Sequence, residues 1–256
     1  MKISYVTKLK TTYSFLSAFF LLSHVSVYSS SSDGMKQAEK APLQINSKSG
    51  LKCDREKMLC EAEGSVIVTK GPYVMLSDKA SAQMAKNETG KLEISHVESH
   101  ENVRFFGTEG ESATADDAVY DLASGTIDLK AGKGNQVTVW KDNYILLADF
   151  IQIHFKKDEG HKLQVDKIDA KGNVKLSSED EFLEGNTATM IPSSKMVYIN
   201  GNVLLNRKEG QLRGPAAEVN MDTKASKVLK GSQASTNDRV RVYVYPKEVD
   251  RKAVRN

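Results

Sequence analysis

The chain has 256 residues with 36 basic and 33 acidic side chains, 39% hydrophobic residues and only two cysteines. Its three excess positive charges all lie in the first thirty residues, as Lys2, Lys8 and Lys10, so the remainder is electrically balanced. That balance excludes the basic footprint that phosphate-backbone binding needs, and with it a nucleic-acid partner. Some 225 residues after the leader fit one large all-β domain or two small ones, with enough chain for a sizeable core.

Residues 1–30 combine a positive start with the apolar run Tyr13 to Val27 (YSFLSAFFLLSHVSV). The run is shorter than the roughly 20 residues of a membrane span, so it reads as a secretory signal peptide, with Val27-Tyr28-Ser29 offering a small residue for cleavage. An uncleaved anchor is the alternative, because no Ala-x-Ala phrase is present. Residues 31–42 (SSDGMKQAEKAP) are polar and read as a flexible lead-in.

From Leu43 the pattern is β almost throughout. Val66 and Val68 alternate with Ile67 and Thr69, Val103 and Phe105 with Arg104 and Phe106, and Val137 and Val139 with Thr138 and Trp140. The same holds for Ile151, Ile153 and Phe155 against Gln152 and His154, and for Val197 and Ile199 against Tyr198. Period two in β-branched and aromatic residues, punctuated by Gly, Asn, Asp and Lys, predicts many short strands with turns every ten residues or so. Ala113 to Tyr120 is the best candidate for a helical turn and suits a strand equally well.

A phrase recurs along this chain: Gly64-Ser65-Val66, Glu101-Asn102-Val103, Asn135-Gln136-Val137, Gly172-Asn173-Val174 and Gly201-Asn202-Val203. The valines lie 37, 34, 37 and 29 residues apart, which points to one structural unit stacked on itself. Gly and Asn tolerate positive φ, so the phrase is expected to reset the chain between strands, each valine starting an inward set.

Cys53 and Cys60 flank a six-residue segment centred on Glu56-Lys57 and fall opposite each other if that pair is the turn. In an exported protein they form a candidate disulfide, worth about 2–3 kcal/mol by loop entropy; two half-buried thiols are the alternative.

Catalytic signatures are missing. No Gly-x-Ser-x-Gly elbow and no His-Glu-x-x-His helix occurs, and His96, His100, His154 and His161 are scattered. His96 and His100 fall in a polar, loop-like stretch with too little ligand support for a metal. Ser178 to Glu181 reads as a solvated turn, not a calcium loop. No catalytic residue, metal or cofactor is assigned.

The segment Pro42 to Ser47, the hairpin leading into Glu61 to Val68, the unit Asn200 to Val203, and the closing pattern Gly201 to Met221 followed by Arg239 to Pro246 resemble the OstA-like family of periplasmic lipopolysaccharide-transport proteins. The resemblance spans residues 43–247 and leaves 248–256 as a polar tail. It implies an all-β, elongated antiparallel β-jellyroll of stacked folded-over strands, and a periplasmic bridge that carries lipopolysaccharide from an inner-membrane exporter to an outer-membrane translocon. Lipid A acyl chains would lie in an apolar groove, and no enzymatic step is implied. Implied partners are an inner-membrane LptC-like jellyroll, an outer-membrane LptD-like translocon and further copies of the chain added head to tail.

For the groove lining, the alternating sets are Val66, Val68, Val103, Phe105, Val137, Val139, Ile151, Ile153, Phe155, Val174, Leu176, Val197, Ile199, Val203 and Leu205. An ordinary dry core is the alternative, since it needs the same alternation. The terminal strands, with Leu43 and Ile45 at one end and Val240, Val242 and Val244 at the other, would carry strand addition. The chain departs from the family pattern by an extra unit around Asn135 to Val174, and a retained leader would make it an anchored, LptC-like component. A right-handed β-helix lyase and a structural β-solenoid are the readings from other classes.

Overall fold

The computed structural model describes residues 42–107, 110–157, 163–229 and 239–245. The leader, most of the lead-in, His161, Pro246 and the polar tail lie outside the described residues. The strands in chain order are β1 Leu43–Asn46, β2 Gly50–Asp54, β3 Leu59–Lys70, β4 Tyr73–Lys86, β5 Leu92–Phe106, β6 Ser112–Asp121, β7 Thr126–Lys130 and β8 Val137–Lys141. They continue with β9 Tyr144–Ala148, β10 Phe150–Lys157, β11 Leu163–Ser177, β12 Glu181–Ile191, β13 Met196–Arg207, β14 Gly210–Asn220, β15 Ser226–Leu229 and β16 Arg241–Val244. A 3-10 turn at Pro192–Ser194 joins β12 to β13, and no α-helix occurs among the described residues. The segment from Ala113 to Tyr120 is part of β6.

Every pairing is antiparallel, and strands that follow one another in sequence are hydrogen-bonded neighbours along most of the sheet. This overturns the β-helix and solenoid readings, which need parallel rungs stacked by coiling. It agrees with the folded-over antiparallel expectation.

The recurring phrase sits inside long strands, not between them. Register shifts fall between Glu63 and Val66 in β3, His100 and Val103 in β5, Lys171 and Val174 in β11, and Asn200 and Val203 in β13. At each one, two successive residues take left-handed backbone: Gly64 and Ser65, Glu101 and Asn102, Gly172 and Asn173, Gly201 and Asn202. A two-residue bulge of this kind bends the strand without ending it. The strands are therefore longer than the turn spacing suggests, up to 15 residues in β5 and β11. At the remaining copy, Asn135-Gln136-Val137, the chain leaves the sheet between β7 and β8, with positive φ at Gly134, and Val137 still begins an inward set.

The bends line up and fold the sheet into two arms. The front arm holds β1, the halves of β3, β5, β11 and β13 after their bends, the leading halves of β4, β6, β12 and β14, and β8, β9 and β16. The back arm holds the remaining halves with β2, β7, β10 and β15. Front meets back along the fold line, where a Cβ on Gly185 would lie 2.5 Å from Ile199 Cγ1 and one on Gly214 2.4 Å from Val228 Cγ1. These glycines are required by close approach, not by backbone freedom.

Small residues occupy the same place elsewhere. Ala62, Ala80, Ser99, Ala118, Leu129, Ile151, Ala170, Ala188, Ile199 and Ala217 form one cross-strand row on the back arm beside the fold. All ten are buried. The sheet can fold tightly there because so many of these side chains are short, and it opens outward where they lengthen.

Candidate functional site

One row on the inner face of the front arm is apolar from end to end. In register, Ile45, Val68, Met75, Phe105, Ala113, Val139, Leu146, Leu176, Leu183, Leu205, Leu212 and Val242 each face the next across adjacent strands. At about 4.8 Å per strand this track is on the order of 50 Å long. Facing it on the back arm, Cys60, Ala82, Val97, Tyr120, Ile127, Ile153, Ile168, Met190, Val197 and Val219 make a second continuous row.

Between the arms lies a cleft of about 1540 Å³. Its floor includes Phe105, Val139, Leu146, Ile153, Ile168 and Leu176, and its rim carries Lys70, Lys141, Lys156, Lys157, Lys195 and Lys224 with Glu111, Asp142 and Asp222. The expected lining set is thereby divided. Phe105, Val139, Ile153, Phe155 and Leu176 touch the cleft, and Val68 lines a smaller recess beside it. Val66, Val103, Val137, Ile151, Val174, Val197, Ile199, Val203 and Leu205 are buried elsewhere in the same core. The valine directly after each bend packs dry at the fold, and the residue two places on lies farther out. Phe155 is only partly buried, because it stands at the mouth beyond a register shift in β10.

The two rims touch. Tyr73, the first residue of β4, donates its hydroxyl to the Leu163 carbonyl at 2.9 Å, and its ring meets Phe155 edge-on at 5.4 Å. Tyr144, the first residue of β9, donates to the Met221 carbonyl at 2.9 Å and receives a bond from Lys224 Nζ at 3.0 Å. That hydroxyl holds the Lys224 ammonium above its ordinary range. Lys141 pairs with Glu111 at 2.7 Å, and Lys156 with Asp166.

The two ends of the sheet differ. In β1, Leu43 and Ile45 turn inward and pack on the core. Every residue of β16 is exposed, with Val242 at 60% and Val244 at 76%, so the apolar track runs out to solvent at this end. Val240 precedes the strand instead of belonging to it. Cys53 and Cys60 are directly opposed and joined as a disulfide, with Cα atoms 4.0 Å apart.

The polar groups pair with one another across the sheet. His96 and His100 belong to strand β5, not a loop; His100 Nδ1 lies 2.6 Å from Asp117, and Glu98 lies between the two imidazoles. Among the described residues no three His, Cys, Asp or Glu side chains are grouped to hold a metal. The turn after β11 corrects the solvated reading of Glu181: that carboxylate is buried and meets Arg207 at 2.8 Å, while Asp180 beside it stays exposed on Lys208. Sequence reasoning also missed Tyr73, Tyr144 and the bend partners Asp78, Asp116 and Asp149. Asn102 donates to Asp78 at 2.6 Å, Asn173 to Asp149 at 2.8 Å and Asn135 to Asp116 at 3.0 Å.

Residues 44–136 match the family model described as LptA/(LptD N-terminal domain) LPS transport protein. No curated protein matches the chain. Among solved structures, the crystal structure of LptH, the LptA homologous periplasmic component of the conserved lipopolysaccharide transport device from Pseudomonas aeruginosa, aligns at 11% identity and a TM-score of 0.24, covering 82% of this chain and 99% of that one.

Proposed function

We propose that this chain is a periplasmic lipopolysaccharide-binding bridge that takes the lipid from an inner-membrane exporter and passes it to an outer-membrane translocon. The observation that carries the reading is the unbroken apolar track from Ile45 to Val242, open at the β16 end. An acyl chain lying along such a track is shielded at about 0.8 kcal/mol per methylene, nearly evenly from one strand to the next. Movement along it needs no covalent step, because the chain exchanges one apolar contact for an equivalent one.

The edges fit assembly in a line. β1 and β16 are terminal strands on the same arm, so a second copy adding its β1 beside β16 would continue both the hydrogen-bond ladder and the apolar track. An LptC-like jellyroll at one end and an LptD-like one at the other would dock by the same strand addition. The exposed Val242 and Val244 are the groups such a neighbour would cover.

The test is binding of purified lipopolysaccharide, measured as displacement of an apolar fluorophore from the cleft. Wild-type protein and Gln152→Ala, altered on the outer face, are expected to bind alike, and Ile153→Asp to lose binding. Failure of folded wild-type protein to bind would contradict the reading.

A further inference from the structure

The cleft is bounded by tyrosines at two places where front rim meets back rim. Tyr73 and Tyr144 each open a strand on the front arm, and each hydroxyl reaches a back-arm carbonyl, that of Leu163 or of Met221. The offset is the same in kind at both places. Tyr73 in β4 reaches β11, and Tyr144 in β9 reaches the turn after β14, so the front rim crosses the back rim at an angle. Tyr73, Leu163, Tyr144 and Met221 all line the cleft. The mouth therefore lies between two hydroxyl bonds, one braced by Phe155 and the other by Lys224.

We propose that Tyr73 and Tyr144 are latches on a lateral loading port: acyl chains enter sideways through the mouth between them when the bonds open, instead of only threading from the end of the track. This rests on the lipid-binding reading above. Three observations support it. Each latch is a side-chain bond to a backbone carbonyl and forms no part of a strand ladder, so it can break without disturbing any strand pairing. The buried residues Ile153 and Leu176 line the same cleft as both tyrosines, so a chain entering between the rims would meet the middle of the track. Lys195 and Lys224 stand on the back rim, where a negatively charged headgroup would remain while its chains pass inward.

Loss of one neutral hydroxyl bond shifts an opening equilibrium by about two- to tenfold. Phenylalanine keeps the ring and its packing, so the double variant Tyr73→Phe/Tyr144→Phe removes both hydroxyl bonds to the carbonyls, together with the Lys224 bond to Tyr144. Two readouts are needed. Spin labels at Asn143 and Thr223, exposed positions on opposite rims, report mouth width without any ligand. Stopped-flow uptake of a fluorescent long-chain fatty acid reports loading, both in the free protein and after Asn143→Cys and Thr223→Cys are bridged by a short thiol crosslinker. Cys53 and Cys60 are already bonded to each other and stay out of that reaction.

The expected result is a broader label distance and several-fold faster uptake in the double variant, with uptake slowed at least tenfold in the crosslinked protein. Unchanged distances, or equal uptake in all three proteins, would overturn the port. Absence of uptake in every form, including wild type, would instead overturn the lipid-binding reading, while the label distances still decide whether the tyrosines are latches.

Discussion

The Asn173 side-chain amide donates to the Asp149 carboxylate at 2.8 Å, at the point where the sheet folds. Asn173 has left-handed backbone there, and a Cβ on neighbouring Gly172 would lie 2.3 Å from the Asp149 carboxylate. The bend is thus fixed by a side chain from the strand segment beside it. Asp149→Ala should lower stability by about 1 kcal/mol by removing that hydrogen bond. Asn173→Val should cost roughly 1–3 kcal/mol, because a β-branched residue resists positive φ. Urea denaturation checks both, and a valine variant as stable as wild type would contradict the account.

Acid should weaken another bend contact. The Gly132 N–H and then the Asn135 amide hold the Asp116 carboxyl below its ordinary value of 3.8. A carboxyl depressed by folding stabilises the protein above its unfolded pKa, and that contribution is lost as pH falls through the folded value. The stability difference between wild type and Asp116→Asn should therefore be full at neutral pH and fade below pH 3.8. A difference independent of pH would sink this assignment.

The buried pair gives the largest single-residue effect. Arg207→Met leaves the Glu181 carboxylate buried without its cation and should cost about 3–5 kcal/mol. Adding Glu181→Leu should recover most of the loss. A double variant no more stable than the single would show that the pair does not act as a unit.

Reduction of Cys53–Cys60 should act locally. β2 has no fully buried residue, so the disulfide and the backbone ladder hold it to β3. The closed loop is short, and its loss should cost at most about 2–3 kcal/mol. Hydrogen exchange should quicken in residues 50–54 and stay unchanged on the back arm beyond β4. Loosening throughout the sheet would contradict a local role.

The alternation made much of this fold legible. Val66, Val68, Val103, Ile151, Ile153 and Val203 face inward because strand side chains alternate strictly, and only the inner face is dry. The recurring Gly and Asn residues were legible as positive-φ positions, yet not as bends within continuous strands. That distinction depends on Asp78 and Asp149, each 24 residues ahead of its Asn. The shared 24-residue spacing at these two bends is the signal that would have shown it there; Ser49 and Asn186 stand in the Asp's place beside Gly64 and Gly201. Tyr73 and Tyr144 were silent, because pattern within a strand gives its face and not which strand of the other arm it meets. Glu181 was read as solvated for the same reason: its partner Arg207 is on another strand.

The most direct test of the central claim is photo-crosslinking to lipopolysaccharide in cells, with a photoreactive residue placed in turn at Ile151, Gln152 and Ile153. Ile153 lines the cleft, Ile151 is buried at the fold, and Gln152 faces outward onto Asp128. The account predicts lipid adducts at Ile153 and none at the other two. Adducts at Gln152 as readily as at Ile153, or none at any position in folded and exported protein, would contradict it.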